Sequence, residues 1–382
     1  MRYAIVTETY PPEVNGVALT VQSLERGLRA RGHRVSLVRP RQSEASPPEP
    51  EETLVRGLSL PRYPGLRAGL PATGRLVSAW SAARPDAIYV ATEGPLGWSA
   101  LRAAQRLGIP VATGFHTRFD EYMRDYGLPW LEPVALRWMR HFHNRAAATL
   151  VPTRELKEFL DGAGFRHVRL LPRAVDTALF DPARRDPSQR DALGIDGQSP
   201  LVIYVGRIAA EKNLSLAIRA FRALQAKRPE ARYVWVGDGP LLAPLRREHP
   251  DFIFLGVQRG EALARLFACA DLFLFPSRSE TFGNVTLEAM ASGVPVVAFD
   301  YGAAREHLRD GVHGAALALD DEAGFVSAAV RIGSDSRLAR AMGDAARRAV
   351  LGLSPERVAL DFDALLADLS RRSQSHVDLA AA

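Results

Sequence analysis

Two glutamates eight residues apart, Glu280 and Glu288, mark the part of the sequence with the most potential chemistry. The apolar run 272–275 predicts a buried strand, and Glu280 lies in the loop that follows it. Gly283 and Asn284 predict the start of a helix with Asn284 as its N-cap, which places Glu288 about one turn inside that helix. Because the free amides of a helix N-terminus bind anions, two carboxylates beside it would suit the hydroxyl groups around a bound phosphate. For Glu288 alone, interaction with the helix dipole is the alternative explanation.

A pair of cations, Arg207 and Lys212, flanks the loop after another apolar run, 201–205. Arginine binds phosphate oxygens as a fork and lysine binds them as a point charge, so the pair would suit a diphosphate. Only three of the 49 basic residues are lysines, which singles out Lys212. A solvated helix start explains the same pattern, and the residues alone leave both interpretations open.

Two strand-end loops in the first half of the chain are further candidates. The loop 7–16 ends in Asn15 and Gly16 before a helix, where the backbone can approach a phosphate, although a plain connecting loop fits equally well. His116 follows the strand-like run 110–114, and a histidine at that end of a strand can reach a reacting ligand. Taken alone, the pattern favours a structural histidine.

All these loops require strands that end at one edge of a sheet, and the sequence predicts such strands. Strand-like runs alternate with amphipathic helices, at 2–7, 34–38, 87–91, 110–114 and 148–151 and then at 201–205, 233–236, 252–255, 272–275 and 295–298. Strands separated by helices form parallel sheets, so we expect an α/β protein with two doubly wound halves. Ligands bind outside the carboxyl ends of such strands, so we expect the site in a cleft between the halves.

The segment 176–199, rich in Asp, Pro and Arg, interrupts this alternation and predicts a linker. We therefore expect one domain over 1–175, a second over 200–353, and a last amphipathic helix with a frayed tail over 354–382.

A chain of 382 residues with 47% apolar and 24% charged residues is typical of a globular protein of about two domains. Its single cysteine, Cys269, excludes an intramolecular disulfide and a cysteine-based zinc site and fits a reducing cytosol. The sequence shows no 18-residue apolar stretch and no signal-peptide pattern, so we expect a cytoplasmic protein. Residues 1–176 hold 24 basic and 17 acidic residues, against 25 and 26 in the rest, and this basic half indicates an anionic partner.

Glu280 stands in Pro-Ser-Arg-Ser-Glu-Thr-Phe-Gly-Asn (276–284) and Glu288 follows this segment, and the pattern resembles the signature of retaining nucleotide-sugar glycosyltransferases with the GT-B fold. More narrowly, the chain resembles the family of bacterial phosphatidylinositol mannosyltransferases, sucrose synthase and sulfoquinovosyl-diacylglycerol synthase. Other motifs occur in the family's order, at 205–213, 236–240, 254–257 and 270–273. The resemblance implies two Rossmann-like domains, an N-terminal one for the acceptor and a C-terminal one for the donor, facing a central cleft. It also implies that the last helix returns to the first domain.

The resemblance also implies a role for each matching residue. Arg207 and Lys212 would hold the donor diphosphate, and Glu288 would accept hydrogen bonds from the ribose. Glu280, with the backbone of 282–285, would hold the sugar, while Val257 would contact the base through its backbone. The full donor-binding set is Gly16, Arg207, Lys212, Val257, Glu280, Phe282, Gly283, Asn284, Val285 and Glu288. The family usually has Gly-Gly where this chain has Asn15-Gly16.

For catalysis, the resemblance implies reaction on one face of the sugar, with the leaving phosphate helping to deprotonate the acceptor. Arg207 and Lys212 would stabilise the developing charge, and the catalytic set would be His116, Arg207, Lys212 and Glu280. The donor would be a nucleotide sugar of the GDP-mannose or UDP-glucose type, and the sugar a mannose or glucose. We expect no cofactor and no metal, because the one Asp-x-Asp, Asp361-Phe362-Asp363, lies in the last helix on an apparently solvated face.

The acceptor is less constrained, and we expect a lipid or a glycan. Candidate acceptor-binding residues are Tyr10, Asn15, Asp120 and Tyr122, although Asp120 or Glu121 could instead serve as a base or nucleophile. The helical segment 131–145 places Trp138, Met139 and Phe142 on one face, which indicates either packing on its own sheet or a membrane-surface element. With Arg56, Arg62, Arg67 and Arg75, it predicts weak peripheral binding to anionic lipid, at the inner face of the membrane.

Other functions remain as alternatives. A nucleotide-sugar epimerase or a phosphorylase could use the same scaffold, and a sugar- or lipid-binding protein could share the fold without turnover. A nicotinamide oxidoreductase is disfavoured because Gly-x-Gly-x-x-Gly is missing after the first strand. Nucleic-acid binding is not expected, because no stripe of basic and aromatic residues occurs.

Overall fold

The computed structural model describes residues 1–13, 15–41, 51–59, 67–116, 130, 132–278, 280 and 282–381. The chain divides into two compact units. The first consists of Met1–Ala174 together with Pro355–Ala382, and the second consists of Val175–Ser354. Each unit is described by itself below.

The first unit is built on a seven-stranded sheet in which each neighbouring pair of strands is parallel. The strand order is β3-β2-β1-β6-β7-β8-β9, and β4 and β5 form a separate antiparallel pair. The strands are β1 Arg2–Val6, β2 Arg34–Pro40, β3 Glu52–Val55, β4 Gly57–Ser59, β5 Arg67–Gly69, β6 Ala87–Val90, β7 Val111–Gly114, β8 Ala148–Val151 and β9 Val168–Leu170.

Helices cover the strands of the first unit, and local sequence sets their ends. Asn15 caps the first helix by accepting a hydrogen bond from the amide of Ala18. Gly108, in the left-handed conformation, ends the helix that follows β6. The helices are α1 Gly16–Ala30, α2 Thr73–Ala82, α3 Pro95–Leu107, α4 Glu132–His143 and α5 Arg154–Gly162, and at the other end of the chain α14 Pro355–Ala381.

The last helix, α14, completes the core of the first unit. Its buried apolar side chains pack with those of α1, β1 and β2, and they are Val358, Phe362, Leu366 and Leu369. Helices α1 and α14 approach so closely that a methyl group on Gly27 would lie 2.3 Å from Cβ of Ala359. The prediction that the Asp361-Phe362-Asp363 face is solvated is wrong for the last two residues. Phe362 is fully buried, and Asp363 accepts hydrogen bonds from Tyr3 and Arg31, both at 2.9 Å.

The second unit repeats the architecture with a six-stranded parallel sheet in the order β12-β11-β10-β13-β14-β15. Buried side chains lie on both faces of this sheet. The strands are β10 Leu201–Val205, β11 Arg232–Val236, β12 Ile253–Phe254, β13 Leu272–Phe275, β14 Val296–Phe299 and β15 Gly314–Leu317. The helices are α6 Pro187–Ala192, α7 Leu214–Lys227, α8 Leu242–Glu248, α9 Gly260–Cys269, α10 Asn284–Ala291, α11 Ala303–His307, α12 Glu322–Ser334 and α13 Ser336–Val350, with short 3₁₀ turns at Pro182–Arg184 and Ala210–Lys212.

The structure differs from the sequence-based expectations at two segments. The supposed linker 176–199 contains a 3₁₀ turn and α6, and Phe180 and Ile195 are buried in the core of the second unit. Asp181 and Asp186, which we took as signs of a linker, instead cap these two short helices. The supposed frayed tail continues as helix to Ala381. In the described part of the chain, no helix is both long enough and apolar enough to cross a lipid bilayer.

Candidate active site

The strand order of the second unit brings the predicted donor-site loops together. β10 and β13 are neighbours, and the chain leaves β10 toward β11 on one side but leaves β13 toward β14 on the other. A crevice forms at such a point at the carboxyl ends of the strands. The loop after β10 carries Arg207 and Lys212, and the loop after β13 carries Glu280.

A salt bridge joins these two loops. Nζ of Lys212 lies 2.5 Å from Oε1 of Glu280, and the hydroxyl of Ser277 donates to the same oxygen at 3.0 Å. Both charged side chains are mostly buried, and Ser277 is buried. A lysine and a carboxylate held in this way present one cation and one acceptor within a hydrogen bond of each other. The pair can therefore bind a ligand that carries both an anionic group and hydroxyl groups.

Arg207 lies on the same loop in a more open position. Its side chain is 44% exposed, and Nη1 lies 3.1 Å from the carboxylate of Glu211. The Tyr204 hydroxyl donates to the Arg207 carbonyl at 2.9 Å, which fixes the backbone at the end of β10. The backbone of Arg207 is thus fixed, while its guanidinium group is accessible to a ligand.

Glu288 lies within α10, and its environment is unusual for a carboxyl group. Its side chain is largely enclosed, and it makes no hydrogen bond or ion pair within the described residues. Burial raises its pKa to about 7, so the group is only partly ionised at neutral pH. A ligand that donates hydrogen bonds to this carboxyl group would stabilise its ionised form.

The start of α10 differs from the prediction. Gly283, at φ +90°, is the N-cap and Asn284 is the first helical residue, with no side-chain capping bond. Glycine tolerates this left-handed conformation, which is why it displaces Asn284 from the cap. The preceding residue, Phe282, is buried, and its carbonyl accepts a hydrogen bond from the amide of Ala303 at 2.7 Å. Val285 follows as a partly buried residue of the first turn.

Backbone hydrogen bonds connect the loops after β10, β11 and β12. The amide of Ile208 donates to the carbonyl of Asp238 at 2.9 Å, and the amide of Gly237 donates to that of Gly256 at 2.8 Å. A methyl group on Gly237, at φ +141°, would lie 1.9 Å from a carbonyl oxygen of the neighbouring loop. Sequence reasoning gave this glycine no structural role, although its motif at 236–240 was the available signal. Val257, the expected base contact, follows Gly256 and is 49% exposed.

His116 lies in the first unit and is almost fully buried. Nε2 lies 2.7 Å from the Tyr89 hydroxyl, and Nδ1 lies 2.5 Å from Nη2 of Arg173. Arginine can only donate, so Nδ1 is the acceptor and the imidazole proton is on Nε2. Burial, and then the Arg173 charge, lower the His116 pKa well below its usual value and keep the ring neutral. A methyl group on Gly114 would lie 2.2 Å from the Tyr89 oxygen, so this pair requires glycine there.

A second buried polar cluster at the same edge of this sheet was missed from the sequence. Nε2 of His143 lies 3.3 Å from Glu93, and Nδ1 lies 2.8 Å from the hydroxyl of Thr113. Glu8 accepts a hydrogen bond from the amide of Leu96 at 2.9 Å, at the start of α3. Burial raises the Glu8 pKa to about 7 despite this bond. The signal was available, because Glu8 and Glu93 lie within three residues after β1 and β6, respectively.

Three of the remaining candidates have structural partners. Tyr10 donates through its hydroxyl to Glu25 at 2.8 Å, Asn15 caps α1, and Gly16 is the first residue of that helix. Asn15 also donates to the Thr9 hydroxyl at 2.6 Å. Asp120 and Tyr122 lie outside the described residues. At the carboxyl ends of its strands, the first unit therefore has two candidate groups. One is His116, and the other is the polar cluster that contains Glu8, Glu93 and His143.

Comparison with known proteins finds two matching family models. Residues 199–335 match the model described as glycosyl transferases group 1. Residues 14–179 match the model described as glycosyltransferase family 4. Together the two matches span most of both units.

Relatives match over the length of the chain. GDP-mannose-dependent alpha-mannosyltransferase of Mycolicibacterium smegmatis is 35% identical over 92% of this chain and 93% of its own length. Alpha-monoglucosyldiacylglycerol synthase of Streptococcus pneumoniae is 26% identical over 78% of this chain and 71% of its own. The solved structure of sucrose-phosphate synthase from Thermosynechococcus elongatus has a TM-score of 0.76 at 21% identity, covering 96% of this chain and 98% of that one. This structural likeness confirms the predicted fold class of two α/β domains with parallel sheets.

Proposed function

Since this chain belongs to the nucleotide-sugar glycosyltransferases of group 1 and family 4, we propose that it transfers mannose from GDP-mannose to a lipid acceptor with retention of the α configuration. The donor follows from the alpha-mannosyltransferase relative, which is named for GDP-mannose. The lipid acceptor is supported by the relative named as a diacylglycerol glucoside synthase. Transfer of glucose from a UDP-glucose type donor to a lipid or glycan is the close alternative.

The observation that carries this proposal is the partly buried carboxyl group of Glu288 in α10, which has no protein partner among the described residues. We assign it to the ribose hydroxyls, whose hydrogen bonds would satisfy its ionised form. Glu280 would accept hydrogen bonds from the sugar hydroxyls, and Lys212 would bind the diphosphate through its positive charge. Val257 and the segment Phe282–Val285 would contact the base and the sugar, and Gly16 the phosphates.

The transfer step is then mainly electrostatic. As the bond from the sugar to the diphosphate breaks, negative charge develops on the leaving oxygen, and Arg207 and Lys212 stabilise it. The departing phosphate takes the proton of the acceptor hydroxyl, which attacks the same face of the sugar. His116 is neutral, so we assign it to positioning the sugar, and no cofactor or metal enters the step.

A thermal-shift panel with GDP-mannose, UDP-glucose, UDP-galactose, UDP-glucuronate and NAD, each with and without EDTA, tests the donor. A ligand at 100 times its Kd stabilises by roughly 2.7 kcal/mol, which moves Tm by several degrees. We expect a shift with GDP-mannose that EDTA does not change. A shift with NAD alone, or with none of these, would contradict the nucleotide-sugar site.

Transfer itself is measured with radiolabelled GDP-mannose and a detergent-dispersed diacylglycerol glycolipid, and the anomer is read from the product by NMR. A β-linked product would overturn retention. In the His116→Ala variant, we expect unchanged donor binding and reduced transfer, since His116 and Glu288 lie in different units. Full transfer activity would remove His116 from the catalytic set.

A further inference from the structure

Helices α3 and α4 of the first unit form a basic aromatic surface that the proposed reaction does not use. The ring of Trp98 lies 5.2 Å from that of Trp138 and 5.5 Å from that of His141. The Arg145 guanidinium lies over Trp98, 4.9 Å from the ring centre. We call this region the Trp98 surface, defined by Trp98, Arg102, Gln105, Arg106, Trp138 and Arg145.

A cavity of about 510 Å³ opens within the Trp98 surface. Three arginines line it together with Trp98 and Gln105, and they are Arg102, Arg106 and Arg145. Within the described residues, none of the three forms an ion pair, and the nearest polar partner is Gln105, whose Oε1 lies 3.5 Å from Arg145. Three uncompensated guanidinium groups around one cavity favour an anion with several acceptor oxygens, such as a phosphate group.

The charge of the two helices extends this preference beyond the cavity. Pro95–Leu107 and Glu132–His143 contain four arginines and a single acidic residue, Glu132, and Arg145 lies two residues after the second helix. Such an excess attracts an extended anionic surface as well as a single anion.

Exposed apolar side chains accompany the charge. Val134 and Trp138, one helical turn apart, are 61% and 45% exposed. The sequence pattern placed Trp138 on one face with Met139 and Phe142, but only the last two are buried. Tryptophan and arginine on one exposed helix face are typical of elements that lie in a membrane interface.

We propose that the Trp98 surface binds anionic phospholipid at a membrane, with Arg102, Arg106 and Arg145 around a headgroup phosphate and with Trp138 and Val134 in the interfacial layer. Charge complementarity selects this occupant, because a zwitterionic headgroup brings its own cation toward the three guanidinium groups, whereas an anionic headgroup brings only negative charge. The inference rests on the proposed lipid acceptor for its role in the reaction, but the surface itself requires no nucleotide sugar.

Sedimentation of the full chain with phosphatidylcholine vesicles, with and without phosphatidylglycerol, tests this surface. We expect binding only to the mixed vesicles, with a blue shift of tryptophan fluorescence. In the variant Arg102→Gln with Arg106→Gln and Arg145→Gln, partitioning should fall on the order of 100-fold, about fivefold for each basic residue near an anionic surface. The matched control replaces three exposed arginines of the second unit by glutamine, Arg331, Arg337 and Arg348, and should retain most of the binding. Trp138→Ala should abolish the blue shift.

Equal losses of vesicle binding in the triple variant and its control would contradict the role of the Trp98 surface. Equal binding to neutral and mixed vesicles would contradict it as well. Competition by inorganic phosphate or glycerol 3-phosphate at low concentration would instead identify the cavity as a site for a free phosphate compound, and would also overturn the membrane assignment. Transfer to the detergent-dispersed acceptor separates the two proposals. If that transfer is absent while the vesicle results hold, the proposed function fails alone, and if it is normal while wild-type protein binds no vesicles, the surface fails alone.

Discussion

At the scale of single residues, Glu288 provides the sharpest test of the donor site. Burial raises its pKa to about 7, and hydrogen bonds from ribose would favour the ionised form. Donor affinity should therefore rise as the pH increases through about 7 and level off above it. Glu288→Gln should weaken donor binding by about 1.5–3 kcal/mol and remove this pH dependence. Titration calorimetry at several pH values measures both effects, and unchanged affinity in the variant would exclude Glu288 as the ribose contact.

His116 leads to a prediction about stability, which should also rise with pH but in the range below about pH 6.5. Its folded-state pKa is lowered by burial, whereas the unfolded chain takes up the proton near pH 6.5. Below about pH 6.5 the unfolded state therefore binds more protons, and the free energy of unfolding should fall by up to about 1.4 kcal/mol per pH unit. His116→Gln should lack this contribution in denaturant titrations at matched pH. An imidazolium signal from His116 in nitrogen-15 NMR spectra at pH 6 would contradict the buried neutral ring.

At the scale of elements, the turn between β14 and α11 contacts the segment that begins at Phe282, which we propose to bind the donor. Gly302 has φ +56°, and a methyl group there would lie 2.7 Å from the carbonyl oxygen of Phe282. Gly302→Ala should lower stability by about 1–3 kcal/mol through backbone strain and should also weaken donor binding by displacing the segment from Phe282 onward. Gly311→Ala is the matched control, because Gly311 has φ +72° with open space around it. Equal donor affinity in the two variants, measured by calorimetry, would show that Gly302 does not influence donor binding.

Sequence patterns predicted the elements better than they predicted the contacts between them. Runs such as Leu201–Val205 and Leu272–Phe275 are continuous and apolar, because strands of a parallel sheet are buried on both faces. The pairing of Lys212 with Glu280 depends on β10 and β13 being neighbours, which strand order decides and periodicity does not reveal. Arg173, 57 residues from His116, is a partner that only the folded chain identifies. The site roles of His116, Glu280 and Glu288 came from a family resemblance and stay predictions.

At the scale of the whole molecule, the first unit depends on the last helix. Deleting 355–382 would remove Val358, Phe362, Leu366 and Leu369 from its core, and each buried side chain of this kind is worth about 1.5–3 kcal/mol. That total is comparable to the entire stability of a typical domain. We therefore expect a chain ending at Ser354 to have an unfolded first unit and a folded second unit that still binds donor. Hydrogen exchange mapped by mass spectrometry would show this division.

A chain ending at Gln374 is the control for that truncation, because it keeps the same four core residues. We expect it to protect both units from exchange as the full chain does. If the chain ending at Ser354 protected its first unit to the same degree, α14 would be dispensable and the account of the core given above would be wrong.

Because the first unit is assembled from two segments that are far apart in the chain, 1–174 and 355–382, it cannot be completed before the second unit has been synthesised. The nascent strands of 1–174 emerge first but lack the face of α14, whereas 175–354 contains all of its own strands and helices. The second unit can thus fold while the earlier-made half still lacks α14 and leaves an apolar face of its sheet uncovered. A product terminated before residue 355 would expose that face to chaperones and proteases.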